Sequence, residues 1–401
     1  MPNSHQSVVI AGGYTSYRHL GDDLIIRSIL AGISSTIPDA HPILLAEDPE
    51  AIADRFSVDT SHTATHLVND SHRYSGIPNM DVRVHAIADD AAAYLASPGP
   101  ADPSIVELAD QMASSRAFVI AAAGSLTSAF ANWMLFPRLT EALIAQYAGV
   151  PVAITGAGLG PVTTDEHERA LHELLSIAAF IDVRDRHSLD AAAALGIERD
   201  RVVVGPDAAV RIEPVADFEY LAFCKATGIA AGRYVIVGAR QSDPADVLDR
   251  IAAIAGAIAS GHSVDVLLMP HVASGQDHDG VALQRIGRRI DDQVRTVLLA
   301  DIPQDRMAAD MIRRSVVALG TRFHNGVLAC FAGTPALLWS TSPYDRQRIR
   351  GLANSHPGLV FEVTPRTHFL RSRALRHSHA TFSSPRQSSG TETVVSWLRG
   401  L

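Results

Sequence analysis

An α/β protein of two successive doubly wound halves is the fold class this sequence predicts, on three observations. Short apolar runs that read as buried strands alternate with longer stretches of helical periodicity, and the alternation occurs twice along the chain. Most of the runs end at a Gly, an Arg or a His ahead of a helix start rather than in a hairpin turn, as parallel strands feeding crossover helices do. At 401 residues the chain can bury two ordinary cores.

Composition narrows the function classes. A hydrophobic content of 47% with 19% charged residues describes a folded, soluble protein. The net charge of -9 argues against general nucleic-acid binding, which needs a basic face. Lys225 is the only lysine, which leaves few candidates for Schiff-base chemistry. Cys224 and Cys330 sit in apolar, helix-like contexts, so no disulfide framework is expected and a reducing, cytoplasmic setting fits. The first residues lack the pattern of a signal peptide, and no run reaches the length of a membrane span.

In the first half, residues 1–212, strands are expected over 7–11, 43–46, 117–123, 151–155, 177–183 and 201–204. Helices are expected over 24–33, from 49, over 129–147 and over 189–195. Asp22 reads as an N-cap of the first helix. Trp133 and Phe136 are expected to pack. Residues 57–103, rich in Gly, Pro, Ser and Asn, read as irregular, with His62, His66, His72 and His85 among them. His62 and His66 would share a face on a helix and could then bind metal, but the helical pattern is weak and cysteine is absent, so solvated loop histidines are expected and no metal site. Residues 212–222 read as a linker.

The second half, residues 217–375, repeats the rhythm. Strands are expected over 234–238, 264–269, 297–299, 315–319 and 336–339, with helices over 244–260, 281–290, 303–313 and 325–331. The tail, 376–401, is Ser-rich and ends in an amphipathic helix over 391–398 that could pack back across a domain.

Chemistry-bearing residues gather at the strand ends. Arg322 and His324 directly follow Gly320-Thr321, and Tyr344, Asp345 and Arg346 follow the next strand. Arg240, His271 and Arg184 stand just past three other strands. Ligands of open parallel sheets bind outside the carboxyl ends of the strands, where helix N-termini suit an anion and an Arg supplies a bidentate fork. Each residue alone is as readily a surface arginine or a satisfied structural histidine, and Arg184 could simply pair with Asp185 or Asp207. The Gly-rich loop at 12–13 matches neither the dinucleotide fingerprint nor the P-loop, and in the loop at 156–161 Pro161 prevents a direct glycine-to-helix entry, which leaves a tight turn or a backbone donor site.

The motifs Gly320-Thr321-Arg322-Phe323-His324, Gly333-Thr334-Pro335 and Tyr344-Asp345-Arg346 resemble the signature of the polysaccharide pyruvyltransferase family. Weaker likenesses run back through Pro270-His271, Val183-Arg184-Asp185, the 156–161 loop and His19-Leu20-Gly21-Asp22. Three positions depart from the family pattern: Phe323 stands for Leu, Arg346 for Lys and His19 for Asn.

The resemblance implies two Rossmann-like domains in a GT-B-like arrangement, with the active site in the interdomain cleft. It implies transfer of pyruvate from phosphoenolpyruvate to a pair of sugar hydroxyls as a ketal, in polysaccharide biosynthesis for the cell envelope. His324, Arg322 and Arg184 would be catalytic. Arg322, Phe323, His324, Arg240 and Arg346 of the second half, the donor side, would hold the donor together with Arg184 of the first. Asp22 and Gly13 of the first half, the acceptor side, would serve the acceptor or proton transfer together with His271 of the second, and 57–103 could contact the acceptor. Phosphoenolpyruvate is a co-substrate, and no cofactor or metal is implied. The acceptor saccharide could be lipid-linked, which would put a cytoplasmic enzyme at the inner membrane face. A nucleotide-sugar glycosyltransferase of the same fold and a non-catalytic anionic-sugar binding protein are the alternatives.

Overall fold

The computed structural model describes residues 7–12, 17–275, 278–363, 394 and 397–400. The chain divides into two compact units: residues 1–16, 25–208 and 387–401 form unit 1, and residues 17–24 and 209–386 form unit 2. Residues 17–24, which the sequence places in the first half, belong to unit 2. The reason is local: His19 bridges to Val272, and the Leu20 N–H donates to the His271 carbonyl at 2.9 Å.

Unit 1 carries a seven-stranded parallel sheet. Its strands are β1 (Ser7–Gly12), β2 (His41–Ala46), β3 (Asp59–His62), β4 (Ser115–Ala121), β5 (Val152–Ala157), β6 (Phe180–Val183) and β7 (Val202–Val204), in the order β3-β2-β1-β4-β5-β6-β7. Ile10 lies between Leu44 and Val119 in register. Val8, Val9 and Ile10 are fully buried, as expected where helices cover both faces of a parallel sheet.

Unit 2 repeats the design with six strands: β8 (Tyr234–Gly238), β9 (Asp265–Leu268), β10 (Thr296–Leu298), β11 (Val317–Gly320), β12 (Ala336–Trp339) and β13 (Val360–Val363). Their order is β10-β9-β8-β11-β12-β13, with all pairs parallel. Each sheet therefore reverses direction once, between β1 and β4 in unit 1 and between β8 and β11 in unit 2. These switch points are where open α/β sheets bind ligands.

The two-sheet α/β fold expected from the sequence is the one observed, with corrections at particular elements. The first helix spans Leu20–Thr36, so Asp22 lies inside its first turn and is not its N-cap. Residues 57–103 are not irregular. They contain β3, the short helix Thr65–Asn69 and the helix Met80–Ala96, whose face Val84, Ile87, Ala88 and Ala91 is buried at helical spacing. His62 ends a strand and His66 lies in the next helix, so the two do not share a helix face.

Residues 129–147 are not one helix. A 3₁₀ turn, Ser128–Phe130, and a π-turn, Ala131–Leu135, precede the helix Phe136–Tyr147. Phe136 packs inside, but Trp133 is 55% exposed. Helix Asp165–Ile177 occupies the start of the strand expected from 177, and helix Asp217–Thr227 occupies half of the expected linker. Strand β13 has no counterpart in the sequence reading. Of the final helix, Val394 and residues 397–400 are helical, and Leu398 is buried; most of the tail lies outside the described residues.

Two backbones approach closely at the switch point of unit 2. Gly320 has φ +130°, and a Cβ there would lie 1.9 Å from the Gly238 carbonyl oxygen. That oxygen accepts from the Thr321 and Arg322 N–H groups at 3.0 and 3.3 Å. Gly320→Ala should therefore cost about 3 kcal/mol or more, read as a lower denaturant midpoint at unchanged slope. A loss below ~1 kcal/mol would show that the strand ends separate freely.

Candidate functional site

Beyond Gly320 the chain turns on Arg322, which takes the extended N-cap position of helix Phe323–Phe331. The helix begins two residues earlier than the sequence pattern suggests, and Phe323 and His324 are buried in its first turn. Arg322 Nε donates to Asp279 Oδ1 and Oδ2 at 3.1 and 3.0 Å, and Nη2 adds a third bond to the same carboxylate. Asp279 is fully buried and also accepts the His271 and Val272 N–H groups, at 2.8 and 3.2 Å. One carboxylate thus holds a cation from the end of β11 and the loop that follows β9.

Three imidazoles surround that pair. His271 is buried and lies 3.0 Å from Asn325 Oδ1. The Asn325 amide nitrogen donates to the Leu319 carbonyl at 3.0 Å, so its oxygen faces His271, whose proton is thereby placed on Nε2. Burial first, then the Arg322 charge, holds His271 well below the usual histidine range. His19 is lowered to about 3, by burial and then by Arg322, against a smaller upward pull from Asp279. His324 underlies the first turn of helix Leu20–Thr36, where a Cβ on Gly21 would come within 1.9 Å of its Nδ1. Only glycine fits there.

A second charged cluster adjoins Phe323. Arg240 donates to both oxygens of Asp345, from Nη1 at 3.1 Å and from Nη2 at 2.9 Å, and Arg348 Nη2 donates to Asp345 Oδ1 at 2.8 Å. Burial pushes the Asp345 carboxyl up, but the two guanidinium groups outweigh it and the net direction is strongly down. The Arg348 guanidinium also covers the rings of Tyr344 and Phe323, at 4.0 and 4.9 Å. Arg346 points elsewhere: it is 54% exposed and 3.6 Å from Glu362. In the helix Pro343–Ser355 the arginine three residues after Asp345 faces the cluster, and the one directly after it does not.

In unit 1, Arg184 follows β6. It is buried, donates to Asp207 Oδ2 at 3.2 Å, and lies against Gly158 of the 156–161 loop. Asp185 caps the helix Arg186–Ala194 through the Ser188 N–H at 2.7 Å. The Ser188 hydroxyl in turn accepts from the Leu159 N–H at 3.1 Å. The arginine is therefore fixed by a built loop.

The structure brings Arg322, Phe323, His324, Arg240 and His271 together in unit 2 and places Arg184 in unit 1. Asp22 lies 3.3 Å from His19 Nδ1, while Gly13 lies outside the described residues. Sequence reasoning missed His19, Asp279, Asn325 and Arg348 as site residues. His19 was visible as a departure from a motif, and Arg348 by helical spacing from Asp345. Asp279, in a polar loop, carried no local signal. Among the described residues no group of three or more His, Cys, Asp or Glu side chains is placed to hold a metal ion.

The lowered histidines give a pH signature. The unfolded imidazoles titrate near 6.5, whereas the folded His19 titrates near 3 and His271 lower than 6.5 as well. Between those values the unfolded chain binds more protons, so stability falls as pH drops from 6.5 toward 3. His19→Asn and His271→Asn should each flatten that slope by about 1.4 kcal/mol per pH unit at most. Denaturant titrations across about pH 4–7 would read this; an unchanged slope in both variants would refute the neutral imidazoles.

The fold is shared widely among solved structures. UDP-GlcNAc 2-epimerase from Methanocaldococcus jannaschii superposes with a TM-score of 0.58 at 12% identity, covering 98% of this chain and 99% of that one. The Neisseria meningitidis UDP-GlcNAc 2-epimerase bound to UDP-GlcNAc gives 0.56 at 10% identity, covering 98% of each chain. At these identities the likeness establishes a GT-B-like, Rossmann-like fold and nothing about chemistry. No curated protein matches the chain in sequence. No described helix is long and apolar enough to cross a membrane. The family model for polysaccharide pyruvyl transferase matches residues 19–343, from His19 through the cluster around Arg322 to the start of the helix that carries Tyr344 and Arg348, and the chain belongs to that family of transferases.

Proposed function

We propose that the chain transfers a pyruvyl group from phosphoenolpyruvate to two hydroxyls of a saccharide, forming a ketal. The observation that carries this reading is the Arg322–Asp279 pair at the β8/β11 switch point, with His324 and two low-pKa imidazoles around it. The donor carries a phosphate and a carboxylate. Arg322, with Arg240 and Arg348 nearby, offers the planar forks that such groups accept. Arg184 is the corresponding anion contact of unit 1.

The chemistry needs one proton in and two protons out. Protonation of the donor's terminal carbon breaks the enol double bond and leaves an oxocarbenium-like centre at the phosphate-bearing carbon. One sugar hydroxyl attacks that centre and loses its proton. Phosphate departs with its bonding pair, and the second hydroxyl closes the ring and loses the other proton. A histidine can serve as acid first and base later, and His324 is assigned that role. His271 and His19, held neutral, add no charge beside Arg322 and can relay a proton by taking one at one ring nitrogen as the other gives one up. Asp22, beside His19, is assigned to acceptor hydroxyls.

Two measurements test this. Phosphoenolpyruvate at a hundred times its dissociation constant should stabilise the protein by about 2.7 kcal/mol, seen as a melting shift that disappears in Arg322→Ala. UDP-glucose and GDP-mannose are the comparison ligands, because structural neighbours include an enzyme bound to UDP-GlcNAc. A shift with a sugar nucleotide and none with phosphoenolpyruvate would replace this reading with nucleotide-sugar transfer. His324→Gln should lower kcat by ~10²–10⁴ while the phosphoenolpyruvate shift persists. Full turnover in that variant would remove His324 from the acid–base role.

A further inference from the structure

The segment after β4 is built to hold one indole in solvent. Residues Ala131–Leu135 form a π-turn, closed by the Phe136 N–H donating to the Ala131 carbonyl. In a continuous helix Trp133 would share a face with Phe136, three residues on. The extra residue of the π-turn rotates it away by about 100°. Ala131, Leu135 and Phe136 join the core of unit 1, and Trp133 is 55% exposed. An apolar side chain of that size left in water forgoes substantial burial stabilisation, and π-turns occur frequently at functional sites.

The turn is rigidly anchored. Thr127 Oγ1 and the Ser128 N–H both donate to the Pro161 carbonyl, at 2.9 and 3.0 Å. The Thr163 N–H donates to Ser128 Oγ at 2.8 Å, and Asn69 Nδ2 donates to the Asn132 carbonyl at 2.9 Å. The segment also follows the carboxyl end of β4, the strand beside β1 at the switch point of unit 1.

We propose that Trp133 is a stacking platform for a pyranose ring, and that this π-turn carries an acceptor subsite on unit 1. The assignment of that ring to the acceptor rests on the saccharide reading above. The C–H face of a pyranose is apolar and slightly positive at its hydrogens, which complements the negative face of an indole. A platform on a backbone held by these hydrogen bonds loses little backbone freedom on binding. Asn132, also exposed, offers an amide for ring hydroxyls.

The test is calorimetric titration of the full chain with methyl pyranosides of galactose, glucose, mannose and N-acetylglucosamine, up to ~10 mM. At least one should bind the wild type, with about tenfold weaker binding in Trp133→Ala and near-wild-type binding in Trp133→Phe, which keeps an aromatic face. The melting shift with phosphoenolpyruvate should be equal in all three proteins. Pyranoside binding unaltered in Trp133→Ala, or no pyranoside binding to the wild type, overturns the subsite. Loss of the phosphoenolpyruvate response in the wild type, with Trp133-dependent pyranoside binding intact, would instead remove the pyruvyl donor and leave the subsite standing.

Discussion

The site in unit 2 depends on one buried ion pair, Arg322 with Asp279. Taking two charges out of water is costly, and the cost is recovered only when geometry is good and the remaining lone pairs are satisfied. Here the carboxylate accepts three bonds from the guanidinium and two from the backbone of the loop after β9. The pair thereby ties the ends of two strands together and fixes where His271 can sit. The cation in turn helps to keep His271 and His19 neutral. Position, protonation and loop conformation all follow from this single interaction and the burial around it.

Sheet topology explains why that interaction forms where it does. Strands β8 and β11 are neighbours although three helices and the strands β9 and β10 separate them in sequence. At their carboxyl ends the chains diverge, and Gly320 lets the two backbones approach closely enough for the Gly238 carbonyl to receive both turn N–H groups. In unit 1 the π-turn follows β4, the strand beside β1.

Charge balance distinguishes the two kinds of arginine in the chain. Arg322, Arg240, Arg348 and Arg184 are buried or largely buried and matched to Asp279, Asp345 and Asp207. Arg346 and Arg350 lie outside on Glu362, where solvent screens the attraction. A motif position is therefore a poor guide to role when a helix intervenes. Arg346 occupies the motif, but Arg348 reaches the cluster, because residues three apart on a helix share a face and adjacent ones do not.

Much of the fold was legible because it is written in local pattern. Strands such as Tyr234–Gly238 and Ala336–Trp339 are continuous apolar runs, and buried parallel strands need nothing else. The helix Met80–Ala96 was obscured by a preceding stretch of turn residues, although its own apolar spacing is helical. Arg322, His324, Arg240, His271 and Arg184 were legible as strand-end residues of these types. Their partners were not: Asp279 lies 43 residues from Arg322 in the chain, and no local pattern reports a contact at that range. The sequence by itself determined the two parallel sheets and the residue types at their carboxyl ends, since periodicity and strand-end chemistry are local. Tertiary structure alone decided which of those residues meet, which imidazoles stay neutral and which aromatic faces water, since burial and pairing depend on neighbours distant in sequence.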